Sequence, residues 1–364
     1  MRTGFVWHER FFWFDTGGVL PVLAGCEPYP HWDTPASRRR IKNLLDASGL
    51  IDSLVVLRPR MAARDDLLRF HSAVYVERVK ALSDGNGGDT GLLAHIGPGD
   101  FDIALLSLGA CMTAMDAVLA GEVDNAYALV RPCGHHATRD LGMGNAIFCN
   151  IALAVMKARA EGRVGRVAIV DWDVHHGNGT QQAFYADRDT LTISIHQDNN
   201  FPPGSGRMEE RGEGAGLGFN VNVPLPPGSG HGAYLAVMER VVVPAIERFQ
   251  PDLVVVASGL DACGADPMAR MMCHGGTYRE MTRTLLASAG RCCGGRLVAC
   301  HEGGYSELAA PYMALAVIEA MSGVSAGVND PVSPFIAAQG GQELQPHQDA
   351  VISRAAALVE DIGR

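Results

Sequence analysis

What the 364-residue chain lacks narrows its function first. Positive charge is short: 30 Lys and Arg stand against 40 Asp and Glu, a net of −10. That balance argues against a nucleic-acid backbone as the main partner, though not against a cationic small substrate. No CxxC pair occurs among the nine cysteines, and the adjacent Cys292 and Cys293 cannot frame a zinc knuckle. Thiols scattered without disulfide spacing point to core packing in a reducing compartment, so the cytoplasm is the expected location. The opening "MRTGFVWHERFFWF" breaks its apolar residues with His8, Glu9 and Arg10, which denies it a signal-peptide core. No apolar run is expected to reach the roughly 20 residues that span a bilayer, so no membrane partner is expected. Repeats and low-complexity linkers are missing up to about residue 324, which predicts one domain over 1–325 and a tail over 326–364.

What is present is an alternation of two patterns. Short β-branched runs each end in a polar cluster: "AYALVRP" (126–132), "RVAIVDWD" (166–173), "TLTISIH" (190–196), "LVVVASG" (253–259) and "RLVACHEGG" (296–304). Between them, residues 101–121 and 232–249 repeat apolar positions at three and four, the spacing of helices. Continuous apolar strands have both faces covered. The fold class expected is therefore α/β, a mainly parallel sheet with helices on both faces. In the tail, Val351, Ile352, Ala355, Leu358, Val359 and Ile362 form one helical stripe, expected to pack on the body or on an oligomer partner.

In open parallel sheets, ligands bind beyond the carboxyl ends of the strands. Here one run leads into His135 and His136, another into Asp171, Asp173, His175 and Asn178, a third into Asp261, and a fourth into Tyr305. Burying such groups unpaired costs several kcal/mol each, about the size of a domain's whole margin when summed. In an extended chain Asp171, Asp173 and His175 project to one side. A divalent cation would neutralise them, and carboxylate plus imidazole ligation suits zinc. Two ligands are too few, and Asp261 is the best candidate for a third; three ligands with an open position describe a catalytic site. Taken singly, each pair reads better as a turn after a strand. Their convergence on one rim favours the metal.

The stretches "RPCGHHAT", "VDWDVHHGNGTQ", "TISIHQ", "PPGSG", "ASGLDACGADP" and "EGGY" resemble the histone deacetylase superfamily, above all its bacterial histone deacetylase-like amidohydrolases and class II deacetylases. The resemblance implies an arginase-like fold and one catalytic zinc on Asp173, His175 and Asp261. It implies one or two structural potassium ions. The inner set is Asp171, Ser194, Ile195 and the carbonyls of Asp173 and His175; the outer set is Phe184, Asp187, Thr190 and Phe219. It pairs His135 with Asp171 and His136 with Asn178, makes His136 the principal base and acid, and gives Tyr305 the oxyanion. Relatives grip an acyl-lysine between two phenylalanines; here Phe201 matches one and Asn145 stands in place of the other. Gly144 and Gly303 join that substrate set, and Asp89 in "GGDTG" matches a rim carboxylate, although the same residues also make a plain turn. Cys133 replaces a second proline before the histidines. The implied activity is hydrolysis of an acetyl-like amide of a lysine or a small amine, by a dimer or tetramer. Acetylpolyamine hydrolysis and a metal-dependent binding protein without turnover are the alternatives; a manganese ureohydrolase would want more bridging carboxylates.

Overall fold

Runs such as Leu253–Ser258 and Val167–Asp171 are stable only where apolar groups cover both of their faces, and they lie at the centre of a sheet that meets this condition. The computed structural model describes residues 1–19 and 27–362; Cys26 and the last two residues of the predicted tail lie outside them. Among the described residues the main sheet has β1 (Thr3–Val6), β2 (Val55–Leu57), β3 (Asn125–Ala128), β4 (Val167–Asp171), β5 (Thr190–Gln197), β6 (Asn220–Leu225), β7 (Leu253–Ser258) and β8 (Leu297–His301). Their spatial order is β6-β5-β4-β7-β8-β3-β1-β2, and every pairing is parallel. Side chains alternate between two cores. Ala168, Val170, Val254 and Val256 face one, while Val167, Ile169, Val255 and Ala257 face the other.

The first core is closed by α1 (Ala36–Ala47), by the segment 231–249, by α7 (Gly275–Cys293) and by α8 (Ala310–Ser322). The second is closed by α2 (Asp100–Leu119) and α3 (Asn150–Ala160). The expected helix over 232–249 is α5 (His231–Val237) and α6 (Val243–Phe249) joined by a π-helical turn, Met238–Val242. Between α3 and β5 lies the short α4 (Asn178–Phe184). The expectation that no run approaches membrane-spanning length needs correcting, because α2 is 20 residues long and apolar enough to cross. Within the body 78% of its most apolar window is buried, so its apolar surface is used by the core. The tail helix α9 (Pro346–Leu358) packs on β6 and α5; Ile352, Ala355, Val359 and Ile362 are buried there. These four side chains have no surface left for a partner chain.

Chain direction turns around between β4 and β7. From β4 the chain continues to β5 on one side, whereas from β7 it continues to β8 on the other. Parallel strands whose connections diverge leave a crevice beyond their carboxyl ends. The strands on that crevice and beside it, β4, β7, β8 and β3, are consecutive neighbours in the sheet. They are also the four that lead into the ionisable clusters.

Candidate active site

Beyond Asp171 the chain leaves the strand, so the extended spacing expected for residues 171–175 does not persist. Instead each aspartate bends its own backbone: Asp171 Oδ1 accepts from the Asp173 N–H at 3.1 Å, and Asp173 Oδ1 from the His175 N–H at 2.9 Å. The bend sets Asp173 against the loop after β7. Asp261 Oδ1 accepts from the Val174 N–H at 2.9 Å, and Asp173 Oδ2 from the Gly303 N–H at 2.7 Å. Donor atoms of Asp173, His175 and Asp261 come within 4.8 Å of one another, and all three residues are buried. His175 Nδ1 lies 3.0 Å from Asp173 Oδ1 and 3.2 Å from Asp261 Oδ2. Asp261 Oδ2 accepts no hydrogen bond of good geometry, and His175 Nδ1 is the polar group set against it. Two buried carboxylates sharing a single imidazole are costly without a further cation. Two carboxylates and an imidazole make a donor set that fits zinc.

Gly303 lies beneath this cluster. A Cβ there would stand 2.0 Å from Asp261 Oδ2, so the residue lets β8 approach the carboxylates and does not form a cavity wall.

The two histidines after β3 have different partners. His135 Nδ1 is 2.9 Å from Asp171 Oδ2, and His136 Nδ1 is 2.8 Å from Asn178 Oδ1 at the start of α4. Burial works against charge on His135, but Asp171, Asp173 and Glu302 outweigh it and hold the imidazole well above its ordinary pKa. For His136, burial and then the neighbouring His135 and His175 push the other way, well below the ordinary value. The surroundings thus favour charge on His135 and disfavour it on His136. Tyr305 is 9% exposed, and burial lifts its phenol well above the usual range, so it keeps its proton.

A cavity of about 200 Å³ reaches His136, His175 and Tyr305 and is walled by Phe201, Gly144, Asn145 and Leu93. The Phe201 ring stands edge-on to His136 at 5.0 Å between centroids. Asp89 does not line this cavity; its Oδ1 shapes the turn before Leu93 by accepting from the N–H groups of Gly91 and Ala94, at 2.8 and 3.2 Å.

Parts of both cation sets suggested by the resemblance lie together: Asp171 with Ser194 in the inner set, and Phe184, Asp187 and Thr190 in the outer. Asp171 and Ser194 pair across β4 and β5 and line a small polar cavity with Asn222, whose buried Oδ1 is unpartnered. Ile195 follows on the same strand, and the Ser194 hydroxyl lies 2.9 Å from His196 Nδ1. This inner set fits a small cation. In the outer set Arg159 already pairs with Asp187 at 2.5 Å and donates to Thr190 Oγ1 at 2.9 Å. The Phe184 and Phe219 carbonyls accept from Asp187 and Thr192 N–H groups. There the chain supplies its own positive charge.

Several buried charges escape the sequence reading. Glu302 Oε2 accepts from the N–H groups of Gly134 and His135, at 2.7 and 3.1 Å, and so fixes the histidine loop. Asp266 Oδ2 accepts from Tyr305 and Ser306 N–H, at 2.7 and 3.1 Å, and fixes the tyrosine loop. Arg38, 5.8 Å from the Tyr305 ring centroid, donates to the Glu302 carbonyl at 2.9 Å and pairs with Asp33, which also binds Arg131. Glu302 sits in the quoted "EGGY" and Asp266 in "GADP", but both stretches look like turns.

Residues 31–321 match the family model described as a histone deacetylase domain. A "Histone deacetylase-like amidohydrolase" of Pseudomonas aeruginosa is 52% identical over 344 residues, covering 93% of this chain and 90% of that protein. A "Probable deacetylase" of Archaeoglobus fulgidus is 38% identical over 329 residues, covering 89% of this chain and 87% of its own length. The crystal structure of the HDA15 HD domain superposes with a TM-score of 0.86 at 29% identity, covering 99% of this chain and 96% of that one.

Proposed function

The chain belongs to the histone deacetylase family, whose members hydrolyse amides, and from that premise we propose that it is a zinc-dependent amidohydrolase removing an acetyl-like acyl group from an amine. The observation that carries this reading is the buried group Asp173, His175 and Asp261, two carboxylates around one imidazole, with His136 and Tyr305 lining the cavity beside it. Held by those three residues, zinc supplies Lewis acidity toward the acyl oxygen and lowers the pKa of water.

The chain's own groups do the rest. His136, neutral and oriented by Asn178, accepts a proton from the attacking water and then donates one to the departing amine. His135, kept cationic by Asp171, stabilises negative charge as it develops. Tyr305 donates its O–H to the acyl oxygen as that oxygen becomes an anion. Asp266 and Glu302 hold the backbones of these groups, so little reorganisation is left to the reaction itself.

A monovalent cation, potassium by resemblance, suits Asp171 and Ser194; the outer set has Arg159 in its place. Substrate is a small molecule or an acylated lysine, turned over in the cytoplasm by a homo-oligomer, and neither nucleic acid nor membrane enters the reading. The test is a turnover panel on zinc-loaded protein with acetyl-lysine peptide, trifluoroacetyl-lysine, acetylputrescine and acetylspermine. Release of acyl group from at least one, lost on His136→Ala with zinc content intact, is the expected result. No turnover on any, or full activity in that variant, overturns it.

A further inference from the structure

Gly144 and Asn145 occupy the two central positions of a tight turn in which Met143 and Ala146 exchange hydrogen bonds, at 3.0 and 2.9 Å. Both have positive φ, 51° and 67°, the combination of a type I′ turn, and Asn and Gly are the residues that adopt it with least strain. The turn is pinned from outside as well: Gly144 N–H donates to the Leu92 carbonyl at 3.0 Å and Asn145 N–H to the Leu93 carbonyl at 2.8 Å. It is also close to the chemistry, since a Cβ on Gly144 would meet the His136 ring at 2.6 Å and Phe201 at 2.8 Å.

Backbone geometry accounts for a small residue with left-handed freedom at 145, but not for a carboxamide. That side chain is 9% exposed, lines the cavity, and makes no hydrogen bond to any described residue. Resting on the hydrolase reading above, we propose that Asn145 is a specificity-determining residue. Its carboxamide hydrogen-bonds a neutral polar group, such as a hydroxyl or an amide, carried on the substrate's arm within a few bonds of the scissile amide. Among the described residues that line the cavity none is a carboxylate, so an ammonium in the arm would be buried without a counter-charge. An all-methylene arm would leave the carboxamide desolvated and unpaired.

The experiment compares peptides carrying Nε-acetyl-lysine and Nε-acetyl-5-hydroxylysine, with acetylspermidine as the cationic arm. The enzyme is the parent or Asn145→Gly, a change that keeps the turn's freedom and removes the side chain with its carboxamide. Turnover is read as kcat/KM, and binding as Kd by calorimetry in the slow Tyr305→Phe background. The hydroxylated arm is expected to be preferred over the methylene arm by about threefold to tenfold in both quantities, a preference that Asn145→Gly erases. Survival of the preference in Asn145→Gly, tighter binding of the methylene arm by the parent, or tightest binding of acetylspermidine overturns the proposal. If nothing is turned over but the binding preference is present and vanishes in Asn145→Gly, the hydrolase reading fails and the assignment of Asn145 stands.

Discussion

Replacing Glu302 with alanine would remove the acceptor shared by two buried N–H groups, those of Gly134 and His135. Glu302 is 1% exposed, so water does not take over without opening the loop. Each orphaned N–H costs about 1–3 kcal/mol, or about 2–6 kcal/mol for the pair. Unfolding entropy near 2.1 cal/mol/K per residue gives roughly 0.8 kcal/mol/K for a chain of 364 residues, so the melting temperature should fall by about 3–8 °C. Turnover should fall further than stability, by about a hundredfold, because His135 and His136 ride on the released loop. Glu302→Gln separates geometry from charge. Burial lifts the Glu302 carboxyl to about 7, so a neutral isostere that retains an acceptor oxygen should keep most of the stability near neutral pH. Scanning calorimetry and steady-state turnover on the three proteins read both effects. An alanine variant that melts with the parent and turns over at the parental rate would refute the reasoning.

Two further tests follow from the same geometry. Tyr305→Phe should lower kcat by about 10²–10³ with bound metal and melting temperature unchanged, because only the hydrogen-bond donor to the oxyanion is lost; a loss confined to KM would point to substrate packing instead. His71, whose Nε2 accepts from the Cys149 N–H at 3.0 Å, is held neutral by burial, its pKa lowered from 6.5 to about 4. The unfolded chain takes up a proton near 6.5 that the folded chain refuses until about 4, so stability is full above 6.5 and falls by about 1.4 kcal/mol per pH unit below it. His71→Gln should flatten that part of the slope in urea titrations between pH 4.5 and 7, and an unchanged slope would reject the assignment.

The sheet was legible where strands are continuous apolar runs, as in Leu253–Ser258, because burial on both faces leaves a local signature. The edge strands Val55–Leu57 and Asn220–Leu225, and Thr3–Val6 next to one edge, left a weaker one, being short or broken by polar residues. Ligand-type residues were legible because Asp171, Asp173, His175 and Asp261 follow such runs directly. Glu302, Asp266 and the Asp33 cluster were not, since their partners are far along the chain: Arg131 binds Asp33 across 98 positions and Glu302 reaches Gly134 across 168. No local spacing encodes such contacts. The i, i+2 reading of residues 171–175 named residues that do come together, but the cause is two side-chain-to-backbone turns and not an extended strand.

Metal content under equilibrium dialysis tests most directly whether the strand-end carboxylates are retained for a divalent cation. Asp261→Asn is the informative partner, because its side-chain oxygen can still accept from the Val174 N–H while the second carboxylate oxygen is gone. Close to one zinc per parent chain, with affinity weakened by about a hundredfold or more in the variant and circular dichroism unchanged, is the expected result. A parent chain that binds no divalent ion, or a variant that holds zinc as tightly as the parent, would contradict it.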